Sequence, residues 1–374
     1  VKCKVKGKEL TTAINTALAV HDFGDATDSH QPCVLTAEKD QLILKSAKLG
    51  AFVIKRIPAT LLREGAVGLN AKDLAEMKLK GEVTIDVADG GARFSDSKTM
   101  YRWSTDSSAV TDVEEQEKAI VVVKGLAKIP TQIMKSGARF ATYKSEVRGD
   151  YDVQITIDKG YFEYCGLDHI SYGRYEFKAD AVRAKKRFYF TLGTSLLAKI
   201  MKEVEGEVLT VGVSEDGSTV RLASVDFDLY HPTIDKNYQD VASMIEVVTA
   251  GADSKCTCSF DVMQRELKDA IDNVAPVGKK DTEAQMEIAV TKTGTVTLRQ
   301  HAQDNTATSR LKTKNTKAHK GSSIIVRSQY LKEFVKAAPT TIPLKVESWN
   351  EKYLRIQVQD DPGTIDYLAL MIVE

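Results

Sequence analysis

Asp22, Asp25 and Asp28, flanked by His21 and His30, form a set of potential metal ligands. Carboxylates and imidazoles grouped in this way could hold a divalent cation for phosphodiester hydrolysis. They lie in a Gly- and Ser-containing stretch between a helical pattern and a strand pattern, however, and that composition reads as a solvated loop. Among the five cysteines only Cys256 and Cys258 are close together. On a strand they would share one face, but a zinc site takes four ligands and no Cys or His cluster nearby supplies the rest, so reduced structural thiols are expected. Ser195 follows Gly193-Thr194 and opens a helical pattern. It reads as an N-cap or first-turn residue, because no Gly-x-Ser-x-Gly elbow surrounds it. No Gly-x-x-x-x-Gly-Lys-Ser/Thr phosphate loop occurs, so nucleotide hydrolysis is not expected. No enzyme, cofactor or metal is read from these residues.

The elements that must position any site follow a repeat. Gly81-Glu82-Val83-Thr84-Ile85-Asp86-Val87 and Gly206-Glu207-Val208-Leu209-Thr210-Val211 share letters at an offset of 125 residues, one third of the 374-residue chain. A third copy, Ile342-Pro343-Leu344-Lys345-Val346, lacks the Gly-Glu pair. Each copy follows an amphipathic helical stretch. The chain therefore reads as three tandem domains, 1–112, 118–240 and 241–374, with the acidic run Asp112-Val113-Glu114-Glu115-Gln116-Glu117 as a linker.

Apolar residues at helical spacing predict six helices over about 8–20, 71–79, 130–140, 195–204, 260–274 and 328–338. Strands are expected over 33–37, 41–46, 51–57, 83–87, 92–95 and 100–103 in the first third. The middle third has 151–157, 161–164, 208–213 and 219–223; the last has 286–290, 296–300, 342–347, 353–358 and 365–372. Turn residues such as Asp89-Gly90-Gly91 and Ser214-Glu215-Asp216-Gly217 separate successive strands.

Composition bounds the function. A hydrophobic fraction of 43% with 28% charged residues is that of a soluble globular protein. No apolar run approaches the roughly 18 residues that span a bilayer, and Val1-Lys2-Cys3-Lys4 shows no apolar core of a secretory signal, so no membrane and a cytoplasmic location are expected. The 52 Lys and Arg residues balance 52 Asp and Glu residues. Zero net charge argues against a uniformly basic coat, but local potential rather than net charge attracts phosphate.

The helices carry that local potential. Opposite their apolar stripes stand Lys72 and Lys78, Lys135 and Arg139, Lys199 and Lys202, Arg265 and Lys268, and Lys332 and Lys336. One such pair is an ordinary solvated face, and acidic neighbours (Asp73, Glu76, Glu203, Asp269, Glu333) accompany them. Recurrence on five of six helices in repeated units is different, because repeats related by rotation would aim these faces at one axis.

With these residues the whole chain resembles the DNA sliding clamps of bacterial type, the β subunit of the replicative DNA polymerase III. Tyr101-Arg102-Trp103-Ser104-Thr105 resembles the family's aromatic Ser-Thr stretch at the end of its first domain. Leu167-Asp168-His169, followed by Gly173-Arg174, resembles its Thr-Asp-Gly-His-Arg segment. Tyr367-Leu368-Ala369-Leu370-Met371-Ile372-Val373-Glu374 resembles its closing apolar strand. Departures are Met371 in place of a proline, an acidic last residue, and a basic loop around Arg310 to Lys320, which suit a virus-encoded or otherwise remote member.

The resemblance implies an α+β chain of three tandem clamp domains, each with two helices packed on antiparallel sheets, forming half of a ring. Two copies joined head to tail would encircle double-stranded DNA without reading sequence and tether a DNA polymerase, after opening by a separate clamp loader. Tyr101 and Trp103 would face Ile271 and Val274 of the partner subunit. A groove for partner peptides would include Asp168, His169, Arg174, Tyr175, Met244, Leu370 and Met371. Two other classes compete: a β-rich multidomain adaptor without DNA encirclement, and a nuclease using the aspartates near His21.

Overall fold

A computed structural model describes residues 1–21, 31–48, 50–88, 90–120, 123–141, 152–157, 161–167, 171–178, 182–185, 188–233, 241–278, 284–302, 305–318, 321–360 and 363–371. The described residues form eight helices: α1 (Gly7–Leu18), α2 (Ala71–Ala75), α3 (Ser107–Ala119), α4 (Thr131–Ala141), α5 (Thr194–Glu203), α6 (Val241–Ala250), α7 (Gln264–Val274) and α8 (Ser328–Ala337). The chain folds as two compact units: residues 1–132, 183–190 and 196–235 make the first, and residues 133–182, 191–195 and 236–374 the second.

In the first unit a five-stranded sheet runs in the order Thr60–Arg63, Lys2–Lys6, Glu82–Ala88, Gly91–Ser95, Met100–Ser104. Beside it is a nine-stranded sheet. Its first five strands repeat the same order: Arg183–Ala184, Ala127–Pro130, Val208–Val213, Thr219–Ala223, Phe227–Pro232. Four more follow: Ala51–Pro58, Gln41–Lys48, Pro32–Glu38, Gly65–Asn70.

The second unit shows both patterns again. One sheet carries the five-strand order Thr313–Ala318, Cys256–Met263, Pro343–Trp349, Tyr353–Asp360, Gly363–Leu370, continuing into Ser171–Lys178, Tyr161–Leu167, Asp152–Ile157 and Phe188–Gly193, of which only residues 191–193 belong to this unit. Its other sheet is a block of four alone: Asn305–Leu311, Val296–Ala302, Gln285–Val290, Ser322–Arg327. Five-strand and four-strand blocks thus each occur three times, all antiparallel.

Strand register aligns the repeats. Val5, two residues before α1, pairs with Val83; Ile129, two before α4, pairs with Leu209; Val262, two before α7, pairs with Leu344. All three partners are fully buried. The shared letters of the first two copies are therefore one residue out of structural step, since Val83 answers to Leu209 and not to Val208. A backbone bond shows the same slip: Gly7 N donates to Gly81 O, but Thr131 N donates to Glu207 O.

Several sequence expectations are corrected. The supposed acidic linker lies inside α3, whose N-cap Asp106 accepts from Ser108 N and Ala109 N. Only Ala109 and Val113 of this helix are buried, a stripe too narrow to announce itself, and Val113 packs with Val34, Ala47 and Phe52. The fifth expected helix begins at Gln264 and not at 260, because Cys256–Met263 continues as a strand with Phe260 in the core. The second stops at Ala75, leaving Lys78 beyond it. The basic stretch from Arg310 is not a loop: it falls in strands Asn305–Leu311 and Thr313–Ala318, whose polar residues give no two-residue alternation. A register slip between Cys256, opposite Trp349, and Cys258, opposite Ser348, interrupts the strand, so the two thiols do not form the regular same-face pair expected. Both are free, and burial pushes the Cys258 thiol up to about 11.

Candidate nucleic-acid interface

Each helix segregates its charge by packing its other face. On α5, Leu196, Leu197, Ile200 and Met201 are buried, with Val204 just beyond the helix, while Lys199 and Lys202 stand exposed. α2 buries Ala71 and Leu74 and lies against α1, which leaves Lys72 in solvent; Lys78 is exposed too, its backbone N donating to the Tyr101 hydroxyl. Lys135 on α4 is half-buried beside the buried Met134 and Ala138. Lys72, Lys78, Lys135, Lys199 and Lys202 make no ion pair among the described residues. The Arg139 side chain lies outside the described ones.

The α7–α8 pair in the second unit differs. Gln264 Nε2 donates to Val335 O and fixes the two helices together. Arg265 reaches Asp269 at 3.9 Å, and Lys268 reaches Asp272 at 2.7 Å, which holds the Lys268 ammonium above its ordinary value. On α8, Lys336 is exposed and Lys332 half-buried. Burial pulls Lys332 down, Asp272 opposes this, and Lys336 adds to it. Cations without a carboxylate neighbour bind phosphate non-specifically and with strong salt dependence; cations already paired must first exchange their partner.

The remaining expected site residues scatter. Tyr101 and Trp103 lie on the outer strand of the five-stranded sheet with rings stacked 6.1 Å apart, and Trp103 Nε1 is buried with no acceptor among the described residues. Ile271 and Val274 are only 3% and 1% exposed. They belong to the core under α7, so the expected contact with a partner copy does not fall on them. Met371 is buried as well, its N donating to Lys352 O and its Sδ accepting from Ser348 Oγ, so it is sheet core rather than groove wall. Arg174 and Tyr175 pair along the backbone with Asp366 and Ile365. Their side chains, and those of Met244 and Leu370, lie outside the described ones, as do Asp168, His169, Asp22, Asp25, Asp28 and His30 entirely. His21 is buried and meets Ser46 Oγ through Nε2 at 2.6 Å; no group of three or more potential metal ligands exists among the described residues. No described helix is long and apolar enough to cross a membrane.

Sequence reasoning missed the joint in the middle of the first unit's nine-stranded sheet. There Phe227–Pro232 pairs with Ala51–Pro58, Asp228 opposite Ile54 and Tyr230 opposite Phe52. Lys55, 2% exposed, bonds Asp226; Arg56 Nη1 reaches Asp228 Oδ2 at 3.1 Å; Arg221 Nε reaches Asp228 Oδ1 at 3.0 Å and its guanidinium lies over the Tyr230 ring. The one available signal was Lys55-Arg56 inside an otherwise apolar strand. The second unit has the corresponding joint, Gly363–Leu370 on Ser171–Lys178, with Asp366 opposite Arg174.

No family model and no curated protein matches the sequence. Solved structures do. The β subunit of DNA polymerase from Streptococcus pyogenes matches with a TM-score of 0.79 at 12% identity, covering 100% of both chains. The DNA polymerase III β subunit of Thermotoga maritima matches with 0.79 at 12% identity over 100% of this chain and 99% of that one. The Helicobacter pylori β clamp bound to a DNA ligase peptide matches with 0.72 at 14% identity over 100% of both. The chain therefore has the α+β fold of these bacterial clamps along its whole length.

Proposed function

We propose that this chain is a DNA sliding clamp of three domains, two copies of which close head to tail into a ring around duplex DNA and hold a polymerase at the primer end. One observation carries the reading. At both internal joints the last strand of a five-strand block pairs with the first strand of a four-strand block, and the two strands left over are the equivalents of these: Met100–Ser104 and Asn305–Leu311. Unpaired edges invite association, and joining this pair between copies completes the pattern with closed symmetry.

Register makes the joint specific. Tyr101 lies opposite Phe94 as Leu229 lies opposite Leu222; Thr308 lies opposite Arg299 as Ile54 lies opposite Lys45. The observed pair Asp228 and Ile54 then maps onto Met100 of one copy and Thr308 of the other. Exposed lysines on α2 and α5, with the half-buried Lys135 on α4, supply sequence-independent phosphate attraction, and a tethered polymerase gains effective concentration. No chemical step is needed, and a separate loader opens the ring. A groove in the second unit around the Arg174–Asp366 joint is the proposed seat for partner peptides; the H. pylori relative bound to a DNA ligase peptide supports such a role.

The test is oxidative cross-linking of Met100→Cys with Thr308→Cys. The double variant should form a covalent dimer that stays on nicked circular DNA at high salt and slips off once the DNA is cut. Either single variant should not cross-link through this joint, and Trp103→Asp should leave monomers in sedimentation. A double variant that never cross-links, together with no retention on circular DNA, would sink the reading.

A further inference from the structure

The internal joint of the first unit is an ionic design: one carboxylate, Asp228, lies between two guanidiniums, Arg56 on the neighbouring strand and Arg221 on its own block. Only 8% of Asp228 is exposed, so both arginines are held by a buried anion. The register equivalences place the corresponding residues at the closing joint. Arg93 lies opposite Arg102 as Arg221 lies opposite Tyr230, and Arg310 lies opposite Thr297 as Arg56 lies opposite Ile43. Both arginines are thus kept. The carboxylate between them is not: Met100, 65% exposed, stands in its place, with Lys98 where Asp226 would be and Arg102 where Tyr230 would be.

One acid is gained in exchange: Asp86 lies opposite Arg93 where the internal block has Gly212 opposite Arg221, but it is shared with Lys2 and Arg63. Asp86 attracts Arg93 and Asp96 attracts Lys98, but none of Arg93, Lys98, Arg102 and Arg310 has a carboxylate oxygen within 4 Å among the described residues. Nearby carboxylates are committed: Asp86 to Lys2 at 3.1 Å, Asp96 to the backbone N of Lys80, Lys98 and Thr99, and Glu266 to Lys312 at 4.0 Å. Bringing the two edges together in the internal register would set three cations, Arg93, Arg102 and Arg310, around one vacant carboxylate position, with Lys98 at the place of Asp226. Like charges so placed oppose association unless a counter-ion enters, and guanidinium pairs bind planar or tetrahedral oxyanions through paired hydrogen bonds.

We propose that the closing joint contains an oxyanion site split between two copies, Arg93 and Arg102 from one and Arg310 from the other, occupied by a phosphate-type anion where the internal joint has the carboxylate of Asp228. This rests on the head-to-tail reading. Neither copy holds the site alone, so the anion acts as a clasp, and ring closure is set by the supply of phosphate groups, whether diffusible or carried by a DNA backbone.

The experiment measures dimer dissociation by sedimentation in sodium phosphate and in sodium chloride at equal ionic strength and pH. Phosphate should tighten the wild-type dimer by about tenfold or more. Met100→Asp, which supplies the carboxylate internally, should dimerise in chloride as tightly as the wild type does in phosphate and lose the phosphate response. Arg310→Gln should lose the response without gaining affinity. A short linear duplex at equal phosphate concentration separates the two sources: tightening by duplex alone that Arg310→Gln abolishes assigns the anion to DNA, tightening by both assigns it to a free ion, and duplex tightening that Arg310→Gln leaves intact comes from the helix lysines and counts against the site. Equal wild-type dissociation constants under all three conditions, or a Met100→Asp dimer weaker than wild type in chloride, would overturn the site. If the Met100→Cys, Thr308→Cys pair still cross-links in that case, the head-to-tail reading survives; if neither dimer nor cross-link forms, that reading falls instead.

Discussion

Strand Ala51–Pro58 and strand Asn305–Leu311 hold the same place in their four-strand blocks, yet they are made of different material. The first, covered on its outer edge by Phe227–Pro232, is built of Ala51, Phe52, Val53, Ile54 and Ile57, with one buried ammonium on Lys55. The second, uncovered, is built of Asn305, Thr306, Thr308, Ser309 and Arg310, with only Leu311 buried. Ser309 stands where Lys55 does, and Thr306 where Phe52 does. A strand with a permanent neighbour can be apolar; one that spends time exposed must be polar or it will pair indiscriminately. In the proposed ring, this difference separates a joint made during folding from one made between finished molecules.

The largest test of this contrast is Asp226→Ala, which leaves the Lys55 ammonium buried without its carboxylate. It should destabilise the first unit by about 3 kcal/mol in urea titration, and adding Lys55→Met should recover most of the loss. Full stability of Asp226→Ala would mean that the joint is not held by this pair. A smaller effect separates Phe52→Ala from Thr306→Ala. Phe52 is 1% exposed in the cluster with Val113, so its truncation should cost about 3 kcal/mol, whereas Thr306→Ala should stay within about 0.5 kcal/mol. Similar midpoints for the two variants would erase the distinction between a closed joint and an open edge.

The smallest effect lies on the helix faces and is read in DNA binding. Changing Lys135, Arg139, Lys199 and Lys202 to Glu should weaken DNA association and make the plot of log affinity against log salt shallower by about 3 units. Changing Arg265 and Lys268 should do less per residue, since Asp269 and Asp272 already engage them. A larger loss per residue from the second pair would reverse the ranking of the two faces.

Much of the architecture was legible because burial writes a period into the sequence. Leu196, Leu197, Ile200 and Met201 announce α5, and Val208–Val213 and Thr219–Ala223 are read to the residue because each alternates and ends in turn residues. α3 was hidden by its two-residue stripe, and Asn305–Leu311 and Thr313–Ala318 by their lack of apolar residues. For the site, residue type predicted exposure: Lys72, Lys199 and Lys202 are solvent-facing as expected. Pairing was not predictable from type. Nothing local distinguishes Ile271, which is core, from an interface residue on the same helix, and the partners of Asp228 lie 172 residues before it and seven residues before it. Only register brings them together.

That separation has a consequence for synthesis. Lys55 and Asp226 are 171 positions apart, so at about 5–20 residues per second the strand Ala51–Pro58 leaves the ribosome about 10–30 s before the one that covers it. Through that interval the outer backbone edge of Ala51–Pro58 is without the strand that pairs with it. Lys55 is then a solvated cation in the middle of that edge, a charge that discourages premature pairing with other nascent chains. When Phe227–Pro232 arrives, Asp226 just before it neutralises the same charge, so the turn that leads into the late strand carries the group that releases the early one to be buried.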